Sequence, residues 1–148
     1  MPSDGIYGLA STRNTLPMVL LRAREALMER LRPVLHQHDI TEQQWRIIRV
    51  LQEEGPADAS TVADHGCILA PSLTRILKNL ESRGYVEMAK DCNDGRRRLI
   101  SLSEQGHFLI AKISPEINGI NATIEEALGQ QMMKNLIGEL DLLLKKLE

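Results

Sequence analysis

The chain changes its hydrophobic period within the stretch APSLTRILKNLESRGYVEMAKDCNDGRRRLISLS, residues 70–103. In the first half, apolar residues recur every three or four positions, which is the spacing of one buried helix face. From Val86 they alternate with their neighbours, as in a strand, and the alternation resumes at Ile100 and Leu102. Residues 91–95 between them, Asp-Cys-Asn-Asp-Gly, are rich in turn formers. The stretch therefore predicts a helix, closed by Gly84, and then a β-hairpin.

Three helices are predicted before this stretch. The first covers about residues 16–38, with Pro33 bending its last turns. The second begins at Thr41, because Thr41 and Gln44 have the spacing of a capping box. The third is short and capped by Ser60. The first helix has one apolar stripe, the second a buried face, and the third a few apolar positions. They are Leu16, Leu20, Ala23, Leu27, Leu31 and Val34 in the first, Trp45, Ile48 and Leu51 in the second, and Val62, Ala63 and Cys67 in the third.

Two long helices are predicted after the hairpin. Ser103 caps the first of them, which Pro115 should kink. The apolar positions again follow helical spacing: Leu109, Ile113, Ile117, Ile120 and Ile124, then Met132, Leu136, Leu140, Leu143 and Leu147. The predicted fold class is mainly α with a small β-hairpin wing. It is a winged helix-turn-helix unit at residues 41–103, flanked by terminal dimerisation helices at 15–38 and 104–148.

Composition limits the class of protein. Hydrophobic residues make up 43% and charged residues 26% of the 148 positions, as in soluble globular domains. No apolar run approaches the roughly 20 residues that span a bilayer, and the first residues lack the pattern of a secretory signal. We therefore expect a cytoplasmic protein with no membrane partner. The two cysteines, Cys67 and Cys92, lack the spacing of a disulfide framework or a zinc site, so no cofactor or metal is expected.

Charge is distributed unevenly along the chain. Residues 71–98 contain seven basic side chains and four acidic ones, a net charge of +3 in a chain whose total is −2, so the remainder carries −5. One limited basic face on an acidic body is typical of a protein that contacts nucleic acid phosphates, although chance clustering on a solvated surface would give the same count.

The basic segment supplies the predicted contacts to double-stranded DNA. The polar side of the fourth helix suits the major groove, where side chains of these types pair with base edges or phosphates. The basic side of the hairpin suits the adjacent minor groove. Asp94 is expected to hold Arg96 by a charge-assisted pair. The predicted DNA-contacting set is Ser72, Thr74, Arg75, Lys78 and Asn79 on the helix, with Asp94, Arg96, Arg97 and Arg98 on the hairpin.

These residues resemble the signature of MarR-type regulators. The resemblance covers nearly the whole chain and rests on Leu73-Thr74-Arg75, Leu80-Glu81, Gly84-Tyr85-Val86, Asp94-Gly95-Arg96, Ile100-Ser101-Leu102-Ser103 and Gly106. A closer similarity is to the subgroup that represses homoprotocatechuate (4-hydroxyphenylacetate) degradation operons. It rests on Ala23-Arg24-Glu25-Ala26, Arg32-Pro33, residues 41–47 (Thr-Glu-Gln-Gln-Trp-Arg-Ile) and residues 67–74 (Cys-Ile-Leu-Ala-Pro-Ser-Leu-Thr).

The resemblance implies a homodimer that binds a pseudopalindromic operator with one winged unit per half-site. It also implies an effector, a small aromatic carboxylate or phenol, bound between the winged unit and the dimer helices. The terminal helices agree with a dimer, because they carry more apolar surface than a small core can cover. The operator sequence, the identity of the effector and the choice between repression and activation stay open.

Three residues are candidate effector ligands. A buried carboxylate needs a cation, and an aromatic ring needs apolar walls. Arg24 lies beside the apolar stripe of the first helix, and Trp45 and Arg49 are one turn apart on the second. The alternative is that Trp45 is a core residue and both arginines form surface ion pairs.

Other functions fit the sequence less well. An enzyme is not expected, because His36 and His38 point to opposite sides of a helix and we find no phosphate-binding loop or catalytic motif. A thiol-based redox sensor of the same fold is the main alternative. Against it, Cys67 lies in an apolar run that predicts a buried, inert thiol, and Cys92 has acidic neighbours that disfavour a thiolate. A winged helix that binds protein would more often expose an apolar face.

Overall fold

The computed structural model describes residues 8–9 and 11–148. A short 3-10 turn at Thr12–Asn14 comes first, and most of the polar arm before it lies outside the described residues. The remaining elements are α1 (Leu16–Gln37), α2 (Glu42–Glu54), α3 (Ala59–His65), α4 (Ala70–Ser82), β1 (Val86–Lys90), β2 (Arg98–Leu102), α5 (Glu104–Leu128) and α6 (Gln130–Leu147). The prediction of a mainly α fold with a hairpin wing is confirmed. Within the described ranges no helix is both long and apolar enough to cross a membrane.

The core lies where α2 and α4 pack against the end of α1 and the first half of α5. Its fully buried side chains include Leu35, Ile47, Ile48, Leu80 and Ile113. Trp45, predicted as a buried position of α2, is only half-buried and packs on the edge of this cluster. Ile47 takes the buried position instead. The capping box of α2 is confirmed, since Thr41 Oγ1 accepts from the Gln44 amide and Gln44 Oε1 accepts from the Thr41 amide.

The wing is an antiparallel hairpin, as predicted. Val86 lies opposite Leu102, and Met88 lies opposite Ile100. An additional contact was not predicted: Ala57, just before α3, exchanges both backbone hydrogen bonds with Ile100 at 3.0 and 2.8 Å. Because Ala57 extends the ladder by one residue pair, the start of α3 and the wing are held in one unit.

Helix α3 differs from the prediction at both ends. Asp58, rather than Ser60, is the N-cap, and its carboxylate accepts from the Thr61 amide at 2.8 Å. Both residue types are good caps, so their order alone could not decide. Cys67 was predicted to lie within the helix as a buried thiol, and both parts are wrong. The helix ends at His65, and Cys67 is exposed with a left-handed φ of 52°.

The long helices match the sequence pattern. Ser103 Oγ accepts from the Gly106 amide at 3.0 Å, so the predicted cap of α5 is confirmed. Helix α5 continues through Pro115. Helix α6 contains no buried residue, and its apolar side chains at Leu136, Leu140 and Leu144 are exposed on the single chain. An amphipathic helix with its apolar side uncovered requires a partner surface.

Candidate nucleic-acid interface

Helix α4 presents a polar face opposite its buried one. Leu73, Ile76, Leu77 and Leu80 hold the inner side in the core. On the outer side Thr74, Arg75, Lys78 and Asn79 are exposed and Ser72 is half-buried. In the part of the chain that the structure describes, neither Arg75 nor Lys78 forms an ion pair with a carboxylate. Two cations without a local partner are available to meet phosphates or base edges.

Asn79 differs from the other members of this set, because its side chain already has a partner. Gln44 Nε2 donates to Asn79 Oδ1 at 2.8 Å. Gln44 is 8% exposed, so this bond lies at the edge of the core. The side chain of Asn79 therefore joins the polar face of α4 to the first turn of α2.

The tip of the wing is a tight turn built by Asp94. Its carboxylate accepts from the backbone amide of Arg96 at 3.0 Å, and its carbonyl accepts from the amide of Arg97 at 3.0 Å. The expectation that Asp94 holds the Arg96 side chain by a charge pair is wrong in this structure. Asp94 instead shapes the backbone of the turn. The side chains of Arg96 and Arg98 are exposed and, among the described residues, have no ion pair.

The side chain of Arg97 points toward the start of α3. Its Nε lies 3.0 Å from Asp58 Oδ2, and its Nη1 lies 3.9 Å from Asp91 Oδ2. Hydrogen bonds from Thr61, and after them the charge of Arg97, hold the pKa of the Asp58 carboxyl below its ordinary value. Asp58 therefore stays ionised and can cap α3 while it anchors the wing.

The candidate effector ligands lie on α1 and one face of α2. Arg24 forms ion pairs with Glu42 and, at 3.7 Å, with Glu25. Glu42, Trp45 and Arg49 follow each other at helical spacing on that face, so Arg24 reaches the same side of α2 as the other two. Arg49 is bonded to Gln52 and, at 2.7 Å, to Glu53.

An ion network surrounds Arg24. Arg32 lies 2.7 Å from Glu25 and 3.5 Å from Glu42. The hydrogen bond to Arg32 is the main reason why the pKa of Glu25 is lowered, and the same bond raises the pKa of Arg32. The two arginines of α1, Arg24 and Arg32, share the carboxylates of Glu25 and Glu42.

Sequence reasoning missed three residues that hold the predicted DNA-binding elements together. Gln44 was treated only as a helix cap, although it also bonds Asn79. Arg46 donates to the carbonyl oxygens of Gly66 and Cys67 at 2.9 and 3.1 Å and so fixes the turn before α4. Arg83 donates to the Asp39 carbonyl at 2.7 Å. These contacts join residues far apart in the chain, so no local spacing indicates them.

A family model and two named relatives agree on the protein family that this chain resembles. The family model described as MarR matches residues 40–97. The HTH-type transcriptional regulator FarR of Neisseria gonorrhoeae is 47% identical over 124 residues, which cover 82% of this chain and 85% of FarR. The homoprotocatechuate degradative operon repressor of Escherichia coli is 40% identical over 123 residues, 83% of each chain.

A solved structure agrees with this result. The crystal structure of NadR in complex with 4-hydroxyphenylacetate matches with a TM-score of 0.77 at 44% identity, and the match covers 89% of this chain and 96% of that one. The family model and the two named relatives are transcriptional regulators, not enzymes. The chain therefore belongs to the MarR family of transcriptional regulators.

Proposed function

We propose that this protein is a homodimeric repressor that binds a pseudopalindromic operator and releases it when a small aromatic carboxylate or phenol binds. The observation that carries the proposal is the face of α4, where Arg75 and Lys78 are exposed and, among the described residues, unpaired. Beside it the wing exposes Arg96 and Arg98. A helix for the major groove and a basic hairpin for the adjacent minor groove form one DNA-binding surface.

The apolar sides of the terminal helices support the dimer. Leu16 at the start of α1 and Leu140, Leu143 and Leu147 on α6 line an open groove of about 500 Å³. Further apolar side chains of the same two helices are exposed, namely Val19, Leu21, Leu27, Met132, Leu136, Ile137, Leu142 and Leu144. A second copy of the same helices would cover it, and residues 15–38 and 104–148 would then act as the dimerisation region.

The proposed effector site is the face formed by Arg24, Trp45 and Arg49. The effector class is inferred from the relatives, one of which represses a homoprotocatechuate operon and one of which was solved with 4-hydroxyphenylacetate. A carboxylate that binds Arg24 must compete with Glu42. Release of DNA requires only that the ligand prefer the state that does not bind DNA, and a coupling of ~1 to 3 kcal/mol changes affinity about 5- to 150-fold.

A thiol-based response is the second candidate. Cys67 is exposed in the turn that leads into α4, so its oxidation could displace α4, the proposed recognition helix. Peroxide should then abolish DNA binding by the wild type, thiol should restore it, and Cys67→Ala should be insensitive. If the wild type keeps its affinity in peroxide, this candidate is wrong.

The first test is a fluorescence anisotropy titration on DNA from the protein's own upstream region. It is run at two salt concentrations, with and without 4-hydroxyphenylacetate and homoprotocatechuate. Tight, salt-sensitive binding that either acid releases supports the proposal. Specific binding that neither acid changes contradicts the proposed effector class, and the absence of specific binding contradicts the operator.

Matched variants test separately the DNA contact of α4 and the dimer interface of α6. Arg75→Ala should weaken operator binding and lower the slope of log affinity against log salt by about 1 if it meets a phosphate, or relax one base preference if it meets guanine. Lys145→Ala, at the far end of α6, should change neither. Leu144→Glu should give a monomer in analytical ultracentrifugation and lose operator affinity. A dimeric Leu144→Glu variant would contradict the proposed interface.

The effector site has its own pair of variants. Arg24→Ala should keep operator binding and lose its release by the acid, whereas Arg22→Ala, two residues earlier on α1, should keep both. Glu42→Gln removes the competing carboxylate, so it should lower the acid concentration needed for release. Unchanged release in Arg24→Ala would exclude this arginine from the site.

A further inference from the structure

The end of α4, the proposed recognition helix, is attached at two points, to the first turn of α2 and to the turn that precedes it. Gln44, in the first turn of α2, donates to Asn79 Oδ1 at 2.8 Å. One helical turn later, Arg83 donates to the carbonyl oxygen of Asp39 at 2.7 Å. Asp39 lies in the turn between α1 and α2 and has a left-handed φ of 56°. These two bonds, from the last turn of α4 and from the residue that follows the helix, restrain both the rotation and the translation of α4 against α2.

The capping box fixes which atom of Asn79 faces Gln44. Gln44 Oε1 accepts from the Thr41 amide at 2.9 Å, so its Nε2 must be the group that points at Asn79. A side-chain NH₂ can only donate, so Asn79 must present its oxygen to it. The orientation of both side-chain amides is therefore set by the backbone N–H of Thr41, because this group can only donate.

This arrangement limits what Asn79 can do at DNA. An asparagine that reads adenine uses its oxygen and its nitrogen together, as a bidentate pair. Here the oxygen is bound to a side chain that is 8% exposed and sits at the edge of the core. Asn79 also lies in the third turn of α4, whereas recognition helices make their base contacts mainly from N-terminal residues.

We propose that Asn79 is a positioning residue for DNA recognition and not a base-reading one. It acts through Gln44, and the Thr41–Gln44–Asn79 chain sets the recognition helix against α2 at the angle that the operator requires. The inference rests on the proposed operator binding through α4. It leaves base reading to the exposed residues nearer the start of that helix, Arg75 first among them.

The test is a double-mutant cycle on operator binding, combined with a base-by-base profile. Gln44→Met keeps the length of the side chain and has no N–H to donate, and Asn79→Ala removes the acceptor. Both single variants, the double variant, Arg75→Ala and the wild type are titrated on the operator, on every single-base-pair variant of one half-site and on unrelated DNA. Circular dichroism confirms folding at the assay temperature. The wild-type titration tests operator binding itself, so its failure is distinct from failure of the inference.

The expected result has three parts. Each single variant loses about 2- to 10-fold in operator affinity, the range of one net hydrogen bond. The double variant loses no more than Gln44→Met alone, and neither single variant changes preference at any base pair or the salt dependence. Arg75→Ala is the contrast, with a local change in base preference or salt dependence.

Three results would overturn the inference. The first is relaxed discrimination at one base pair in Asn79→Ala, which would make it a base reader. The second is additive losses with a reduced salt dependence, which would make it a phosphate contact. The third is wild-type affinity in both single variants. Asn79→Ala changes an exposed helix position, so its base profile is decisive even where Gln44→Met does not fold.

Discussion

The guanidinium of Arg97 lies 3.0 Å from the carboxylate of Asp58, measured between Nε and Oδ2. Asp58 is also the N-cap of α3, where it accepts from the Thr61 amide. One carboxylate therefore joins the wing to the first helix of the helix-turn-helix pair. The bond stands beside the backbone exchange between Ala57 and Ile100, so the wing is held to this unit by both backbone and side-chain contacts.

Asp58 should make stability depend on pH in the acidic range. Its folded-state pKa is below the ordinary value, so its contribution is present above about pH 4 and is lost as the pH falls through the folded-state value. Asp58→Asn keeps a capping oxygen and removes the charge. We expect the variant to be less stable than the wild type at pH 7, and the gap to narrow by pH 3, in urea unfolding.

The matched control is Asp64→Asn, an exposed carboxylate on the same helix whose only described ion pair, with His65, spans 3.8 Å. Its difference from the wild type should not follow the pattern of Asp58. A gap between Asp58→Asn and the wild type that stays constant from pH 7 to pH 3 would show that the charge of Asp58 contributes nothing.

Cys67 should be a position where glycine stabilises the fold. Its φ of 52° places a side chain in the left-handed region, which costs a non-glycine residue about 1 kcal/mol or more. The side chain is exposed, so little packing is lost with it. Cys67→Gly should raise the free energy of unfolding by about 1 kcal/mol. Cys92→Gly, also exposed but without a positive φ, should give no such gain, and equal gains would contradict the strain argument.

The order and bounds of the main elements could be predicted from the sequence. Helical and strand periods are local, so they predict α1 to within one residue and the hairpin with its turn. The start of α3 could not be placed, because Asp58 and Ser60 are both good caps. Asp58 is held at the cap position by its ion pair with Arg97 and by the pairing of its neighbour Ala57 with Ile100. Both contacts join residues far apart in the chain, so a local sequence pattern does not indicate them.

The sequence predicts which residues make up the candidate site, but not which partners their side chains bond. The exposed set on α4 follows from helical spacing, with Leu73 and Leu77 on the opposite side. The partner of each polar side chain does not follow from spacing. Asn79 and Arg97 look equivalent to Arg75 and Arg96 in the sequence, yet the first two bond to the protein itself.

Asp94 should act on DNA binding through the wing backbone. Its Oδ1 accepts from the Arg96 amide, a bond that an asparagine oxygen can also accept. Asp94→Asn keeps the turn and removes a negative charge near phosphates, so it should bind the operator at least as tightly as the wild type. Asp94→Ala should bind about 2- to 10-fold more weakly, as expected for one lost hydrogen bond. Equal losses in both variants, measured by anisotropy, would instead indicate a charge pair with the Arg96 side chain.

Gly106 should be intolerant of any side chain. It lies in the first turn of α5, where an added Cβ would be 2.6 Å from Leu102 Cδ1 and closer still to the carbonyl oxygen of Tyr85. That oxygen already accepts from the amide of Ser103, the cap of α5, so neither it nor the helix start can move freely. Gly106→Ala should therefore lower the free energy of unfolding by about 2 kcal/mol or more. Gly119→Ala in the same helix meets nothing within 4 Å and should raise it by up to about 1 kcal/mol, the helix preference of alanine. Urea unfolding of the two variants separates these effects, because only a close approach between α5 and the hairpin gives them opposite signs.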